Sequence, residues 1–519
     1  MTKKLIAALL SMASITPAIA GGMLTNTNQN VAFLRNPARD GAIGIDGVYS
    51  NPAGVAFLNE GIHLSLNWQA AFQKRNITTT SPLFALGAKN NGATSKEFEG
   101  KATAPFVPSV QAAYNKDKWS FQFGFAIQGG GGKCEFSKGL GSFETAVPAI
   151  GKMISDKTAP LSAMGVPVPS IVGYDADIYM QGKQYYFGFQ LGSAYKINEH
   201  LSVYGGLRIL YGSATYNAKI ENIKIMGLSN GATTPQAYSL NEYFGATGQA
   251  ITGTAMTLAQ AAAAAQATGN IQAATEYAGK ATALQAAGQA LASEAETYAI
   301  FSDGVKLLCD QSAVGVAPII SADYKIGNFN FAAKYEFRAR MNLKNKSDLR
   351  QAVLDKAPDM MKAKLEKFVD GGNVREDQPA LLAVGAQYSP IEKLRINASY
   401  HHFYDTDAKR YNNEQKLLDG GTNEYLGGVE YDVTDKLTLS GGVQVTKYGN
   451  TDAFMNDISF VVDSWSFGVG LKYKVSDKVS VNAAYFQTNY GDYTQSSPTI
   501  TNVYTRSNNV GAVGVDFTF

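Results

Sequence analysis

Five basic residues have the type and spacing to meet an anion: Arg208, Lys334, Arg338, Arg395 and Lys472. Each sits on the polar phase of a run in which apolar and polar residues alternate, so each shares one side of an extended strand with other polar groups. Arg offers a carboxylate a bidentate fork, and Lys offers a point charge. Such groups facing an apolar pocket would suit a ligand carboxylate; facing other charges they would simply pair, and the sequence does not rank them. Other chemistry is thin. Gly227-Leu228-Ser229-Asn230-Gly231 matches G-x-S-x-G, but Thr233-Thr234-Pro235 follow where a nucleophile elbow needs a helix. His401 and His402 point to opposite faces of a strand and make a poor metal pair. Cys134 and Cys309 fall in two separate segments read as loops, and spacing alone does not say whether they form a disulfide. The expectation is a protein that is not an enzyme and needs no cofactor or metal.

The elements that carry these residues are strands, and the chain is built for export. Its 519 residues hold 45 Lys+Arg against 43 Asp+Glu, a balance that argues against a nucleic-acid binder. Charged residues make up 17%, below the roughly 25% of soluble domains. The 52 Gly, 28 Tyr and 26 Phe point towards β structure. At the N-terminus Lys3 and Lys4 precede an apolar run, Leu5 to Ile15, and Ala18-Ile19-Ala20 forms an A-x-A site. The run is shorter than the ~20 residues that span a bilayer, so residues 1–20 read as a signal peptide cleaved after Ala20. No Cys stands at the cleavage point, which argues against a lipoprotein.

Strict two-residue alternation recurs along the chain, as in Tyr425–Val433, Leu437–Thr446, Phe467–Val475 and Leu201–Tyr211. Each such run has one apolar and one polar face. Very short polar turns, such as Thr434-Asp435-Lys436 and Ser476-Asp477-Lys478, join the strands in pairs, and long polar segments separate the pairs. The pattern predicts fourteen strands, the first over 61–74 and the last over 509–519, with short and long connections alternating throughout. An even number of strands with every long loop on one side is the pattern of an antiparallel transmembrane β-barrel, with its apolar face towards lipid and its polar face inside. Phe519, Phe517, Val515 and Val513 share one face of the last strand. A terminal strand ending in Phe is similar to the assembly signal of outer-membrane proteins, which implies the barrel-assembly machinery as a partner.

Residues 21–58 precede the first strand and are too few for an independent domain. They include Gly41-Ala42, Asp46 and the run Asn51-Pro52-Ala53, with a second Asn-Pro-Ala at Asn36-Pro37-Ala38. Phe33, Leu34, Ile45, Val48 and Phe57 give the segment more apolar content than a disordered leader carries. The Gly-rich N-terminus, the Asn51-Pro52-Ala53 motif entering the first strand, the fourteen strands and the terminal Phe together resemble the FadL/TodX family of outer-membrane transporters for long-chain fatty acids and other hydrophobic compounds. The motif matches are confined to the first sixty residues.

The resemblance implies a hatch of residues 21–58 folded inside a barrel of residues 59–519, a monomer in the outer membrane of a Gram-negative bacterium. It implies passive diffusion of a hydrophobic small molecule: capture outside, hatch rearrangement, then lateral release into outer-membrane lipid through a kink in the third strand. Gly129-Gly130-Gly131-Gly132 follow that strand and would suit such a kink, or equally a flexible start to the next loop. Helical segments are expected at about 255–301, with Tyr277, Leu284, Leu291 and Tyr298 as a seam, and at 347–369. On the latter, Met361, Leu365 and Phe368 share a face that could line an external hydrophobic groove or only hold the loop together. Two other classes fit a large barrel: a surface adhesin or structural barrel, and an open porin for polar solutes.

Overall fold

The computed structural model describes residues 25–299, 304–356, 365–458 and 460–519. The stretch expected to be a signal peptide, the first residues of the expected hatch and Met361 lie outside them. One continuous antiparallel sheet closes on itself as a barrel of fourteen wall strands. These are β1 (Gly61–Thr80), β2 (Ser95–Lys116), β3 (Trp119–Phe136), β4 (Ser170–Lys196), β5 (Leu201–Leu228), β6 (Val305–Ile326), β7 (Phe329–Glu336), β8 (Leu381–Ile391), β9 (Leu394–Phe403), β10 (Thr422–Asp432), β11 (Leu437–Lys447), β12 (Ser464–Ser476), β13 (Val479–Tyr490) and β14 (Thr501–Thr518). Asn342–Ser347, Asn373–Arg375 and Tyr493–Ser496 prolong the wall as shorter strands. β1 pairs with β14 from His63–Thr518 up to Thr80–Thr501, so no edge is left open. Closure pairs each wall strand with a neighbour on both sides, the condition for crossing hydrocarbon with strands.

The side chains alternate as the sequence predicts. Trp68, Phe72, Leu207, Val443, Trp465 and Tyr485 stand exposed on the outer face. Ser65, Asn67, Gln111, Gln122, Gln190 and Gln444 are buried on the inner face. The strands run further than expected, however. β1 continues past 74 to Thr80, and β14 begins at Thr501 rather than 509. In these outer extensions the polarity inverts. Ile77, Phe98, Tyr216 and Tyr504 are buried inside, while Asn76, Glu97, Thr215 and Thr505 face outwards.

Loops fold back over the open end. The helical hairpin consists of Leu240–Ala267 and Ile271–Ala299, so its first helix starts fifteen residues before the Ala-rich run that marked it in sequence. A capping box fixes that start: Ser239 Oγ accepts from Glu242 N, and the Glu242 carboxylate accepts from Ser239 N at 2.7 Å. Leu284 and Leu291 pack with Ile251 and Ala255 of the first helix, which makes the seam a packing feature of the hairpin. Within 347–369 the described helical parts are Gln351–Lys356 and a turn at Glu366–Phe368.

Candidate ligand path through the barrel

The lumen is layered, and the layers are legible along β1. Ser65, Asn67 and Gln69 contact the segment that runs inside the barrel; Gln73 and Arg75 come next; Ile77 belongs to an apolar cluster. Residues 25–58 form the lowest layer, nearly all of them buried. Irregular backbone inside a barrel must find hydrogen-bond partners, and here the wall supplies them. Gln190 Nε2 donates to Val48 O at 2.6 Å, Gln122 Nε2 to Pro52 O at 2.7 Å, Ser202 Oγ to Ala53 O at 2.7 Å, and Asn115 Nδ2 to Val55 O at 2.8 Å.

Asn51, Pro52 and Ala53 sit where this segment meets the wall near the short turns. Asn51 Nδ2 donates to Asp323 Oδ2 at 2.6 Å and to Ala42 O at 3.3 Å, while its Oδ1 accepts from Gly54 N at 3.1 Å. One side chain thus ties the segment to β6 and to itself. The earlier copy is a local turn, in which Asn36 Oδ1 accepts from Ala38 N at 3.3 Å. Glycines on the wall let the segment approach. A Cβ added at Gly470 would lie 2.7 Å from Arg35 Cβ, and one at Gly442 would lie 2.7 Å from Pro37 Cδ. At Gly428 and Gly468 it would overlap Asn36 and the Leu34 carbonyl outright.

Buried charges lock the same layer. Glu430 on β10 receives Arg35, and its other oxygen lies 3.2 Å from Arg39 and 3.5 Å from Arg395. Arg39 also grips Asp46 at 2.7 Å. His401 is held between Asp40 of the inner segment, at 2.8 Å, and Glu424 of the wall, at 2.7 Å. The neighbouring His402 instead bonds Asn423 at 2.9 Å.

All five basic residues proposed as carboxylate contacts already have protein partners. Arg208 pairs with Glu336 and stacks 5.0 Å over the Tyr49 ring. Lys334 donates to Tyr49 O at 2.6 Å. Arg395 forks onto Asp432 with two bonds of 2.7 Å, and Lys472 lies 3.2 Å from Asp516. Arg338 sits past the end of β7, where it reaches the Asp407 carbonyl and lies 3.5 Å from Asp377. Each of these cations is thus held by the wall, by the inner segment or by the chain beyond β7. Arg395 and Lys472 do share a cavity of about 270 Å³ beside that segment, lined also by Arg35, Arg39 and Asp516.

Above lies the apolar layer, built from wall residues such as Phe98, Phe136 and Tyr216 and from loop residues such as Phe84, Phe143 and Phe460. Leu365 and Phe368 belong to it. They are buried in the barrel mouth rather than on an external groove, with Phe368 edge-on to Tyr216 at 5.3 Å. Cys134 and Cys309 are also here, both free and both on wall strands, β3 and β6, rather than in loops.

The wall itself is broken beside this layer. β2 and β3 pair at Ala102–Cys134 and again at Ser109–Ala126, with the ladder interrupted between. On the other side the β3–β4 register slips twice between Ile127 and Gly132. Gly130 and Gly132 have φ of 78° and 76°, a conformation that costs a residue with a Cβ and suits glycine. The start of the inner segment docks on the same irregularity: Asn26 N donates to Gln128 O at 2.7 Å, and Thr25 bridges Gly129. The Gly129–Gly132 run is therefore part of the wall strand, and Phe106 stands fully out beside the interruption.

No family model and no curated relative matches this sequence. Among solved structures, a Pseudomonas aeruginosa FadL homologue aligns with 96% of this chain and 100% of its own, at 12% identity and a TM-score of 0.58. The P. putida toluene transporter TodX aligns with 92% of this chain and 94% of its own, at 13% identity and a TM-score of 0.49. The first of these likenesses, spanning both chains almost end to end, establishes that this chain has the fold of the FadL homologue.

Proposed function

We propose that this chain is a passive outer-membrane transporter for hydrophobic molecules, working as a monomer in a Gram-negative bacterium after removal of residues 1–20. The observation that carries the reading is the lumen's order: an apolar layer at the mouth, over a polar layer filled by residues 25–58. An open porin for polar solutes has no use for either. A hydrophobic molecule gains by leaving water for the apolar layer, where burial is worth about 25 cal/mol per Å² of apolar surface. It enters by parting loop side chains such as Phe84 and Phe143. Residues 25–58 act as the hatch, held through Asn51 and Glu430, and block direct passage to the far side. The interruption between β2 and β3, kinked at Gly129–Gly132, then offers sideways release into the lipid. The FadL homologue of the same fold supports this reading.

Conductance separates it from the porin reading. In planar bilayers the parent should give no sustained open-pore steps, whereas a variant lacking residues 25–58 should give them. Porin-like conductance from the intact parent would contradict the hatch.

A further inference from the structure

The outer face of the wall turns polar where the strands extend past the apolar belt, and one arc of it carries positive charge that the protein does not neutralise. Phe187 on β4, Tyr211 on β5 and Val314 on β6 are register partners in one outward row, with the first two rings 6.3 Å apart. The next outward row holds Tyr185, Ser213, Ser312 and Lys344 of the short strand Asn342–Ser347. The row beyond it holds Lys183, Thr215, Asp310 and Lys346. Aromatic girdles mark the interfaces of a membrane barrel. Lys344 and Lys346 therefore stand at headgroup height, about 7 and 14 Å above the Val314 row at the rise of a strand.

Lys183, Lys344 and Lys346 are exposed, and none of them has an ion-pair partner among the described residues. Lys183 lies 5.6 Å over the Tyr185 ring. The one carboxylate in these rows, Asp310, accepts from Thr215 Oγ1 at 2.7 Å. Elsewhere on the outer rim the lysines are neutralised by a neighbour: Lys101 by Glu99 at 2.9 Å, Lys133 by Glu135 at 2.7 Å, and Lys447 by Asp463 at 2.8 Å. The contrast makes the arc a surface for an anionic partner. Directly below the lysines Tyr211 and Val314 are exposed, so the partner must also bring hydrocarbon. Lys183 and Lys346 are three strand spacings apart, about 14 Å. That spread suits a head with two separated phosphates better than a head with one.

We propose that this arc docks lipopolysaccharide, with Lys183, Lys344 and Lys346 on the phosphates of its lipid A and Tyr211 and Val314 against its acyl chains. This rests on the outer-membrane reading and is independent of what the barrel transports. Lysines near a membrane surface each add to the attraction of anionic headgroups, and three of them act together here.

The test is native mass spectrometry of the folded barrel, refolded in dodecylmaltoside from lipid-free material and titrated with bis-phosphorylated lipid A. The parent is compared with Lys183→Gln/Lys344→Gln/Lys346→Gln and with Lys101→Gln/Lys133→Gln/Lys447→Gln, which removes the same charge from neutralised positions. Heat-modifiable gel migration matches the three for folding. Affinity should fall roughly a hundredfold in the first variant and stay close to the parent's in the second. Lipid A stripped of both phosphates should bind the parent and the first variant alike. Equal lipid A affinity of the parent and the first variant would overturn the proposal. So would equal losses in both variants, which mark attraction to net charge alone, or equally tight binding of phosphatidylglycerol, which marks an unselective anionic surface. Lipid A binding by a barrel that transports no hydrophobic probe would support the surface and remove the transporter. Recovery of the protein outside the outer membrane on cell fractionation would remove the placement on which both rest.

Discussion

Replacing Glu430 by Ala should make Arg35 and Arg39 accessible to trypsin. In the parent both arginines are buried under the wall, and Glu430 is the wall carboxylate that meets both. Removing it leaves their charges, and that of Arg395, facing each other around the cavity beside the segment. Breaking a buried pair by deleting one partner costs about 3–5 kcal/mol. Asp46 and Ser440 retain their bonds to Arg39 and Arg35, so part of the anchoring survives. The cost falls on the docked inner segment rather than on the closed ladder of strands. It should therefore appear as local opening, raising the population of the released segment by roughly two to three and a half orders of magnitude. Limited proteolysis of folded barrel, with the N-terminal fragments read by mass, checks this. Cleavage after Arg35 or Arg39 in Glu430→Ala, and less in Glu430→Gln, is the expected result. Equal resistance in parent and Glu430→Ala would mean that the ion pairs do not hold the segment.

The second large effect is steric. Gly428→Leu/Gly468→Leu should open the barrel to ions, because side chains at these positions would occupy the space of Asn36 and the Leu34 carbonyl. Overpacking of a filled interior costs about 1–3 kcal/mol at each site, and the segment that must yield is the one held to the wall mainly through side chains rather than by a strand ladder. The neighbouring Gly427 provides the control, since a Cβ there meets nothing within 4 Å. Sustained conductance from the double variant, with a silent Gly427→Leu, is expected. Silence from the double variant would show that the segment tolerates the added bulk, against the close packing described.

The barrel was legible in sequence because lipid imposes a strict rule: apolar outside, polar inside, every second residue. That rule marks each strand only where it faces hydrocarbon. Beyond Lys74 and before Asn509 the outer face becomes polar, with Asn76, Thr78 and Thr505 on it, so Ile77 and Tyr504 read as loop residues. Without an apolar outer face to mark the strand, Arg75 and Arg506 just beyond the recognisable stretches went unread, and Cys134 and Cys309 looked like loop residues. The five basic residues on the recognisable stretches were found, but their partners were not. Periodicity gives the face a side chain points to, whereas Glu336, Asp432, Asp516 and the Tyr49 carbonyl become partners only through register and through the path of residues 25–58. The hairpin helix beginning at Leu240 escaped because Gly245, Gly248 and Gly253 dilute its helix propensity. Its capping box, Ser239 with Glu242, was the available signal. Asn51 stood out by motif, and its bonds to Asp323, Ala42 and Gly54 give the motif a physical task.

That task leads to the most direct measurement. Cells lacking their own fatty-acid transporter would produce either the parent or Asn51→Ala/Pro52→Ala, matched for folded barrel at the surface, and initial uptake of radiolabelled oleate and hexadecane would be followed. Hydrophobic transport controlled by residues 25–58 predicts that the parent restores uptake and that the variant, although assembled, loses most of it. A correctly assembled parent that takes up neither probe would contradict the account.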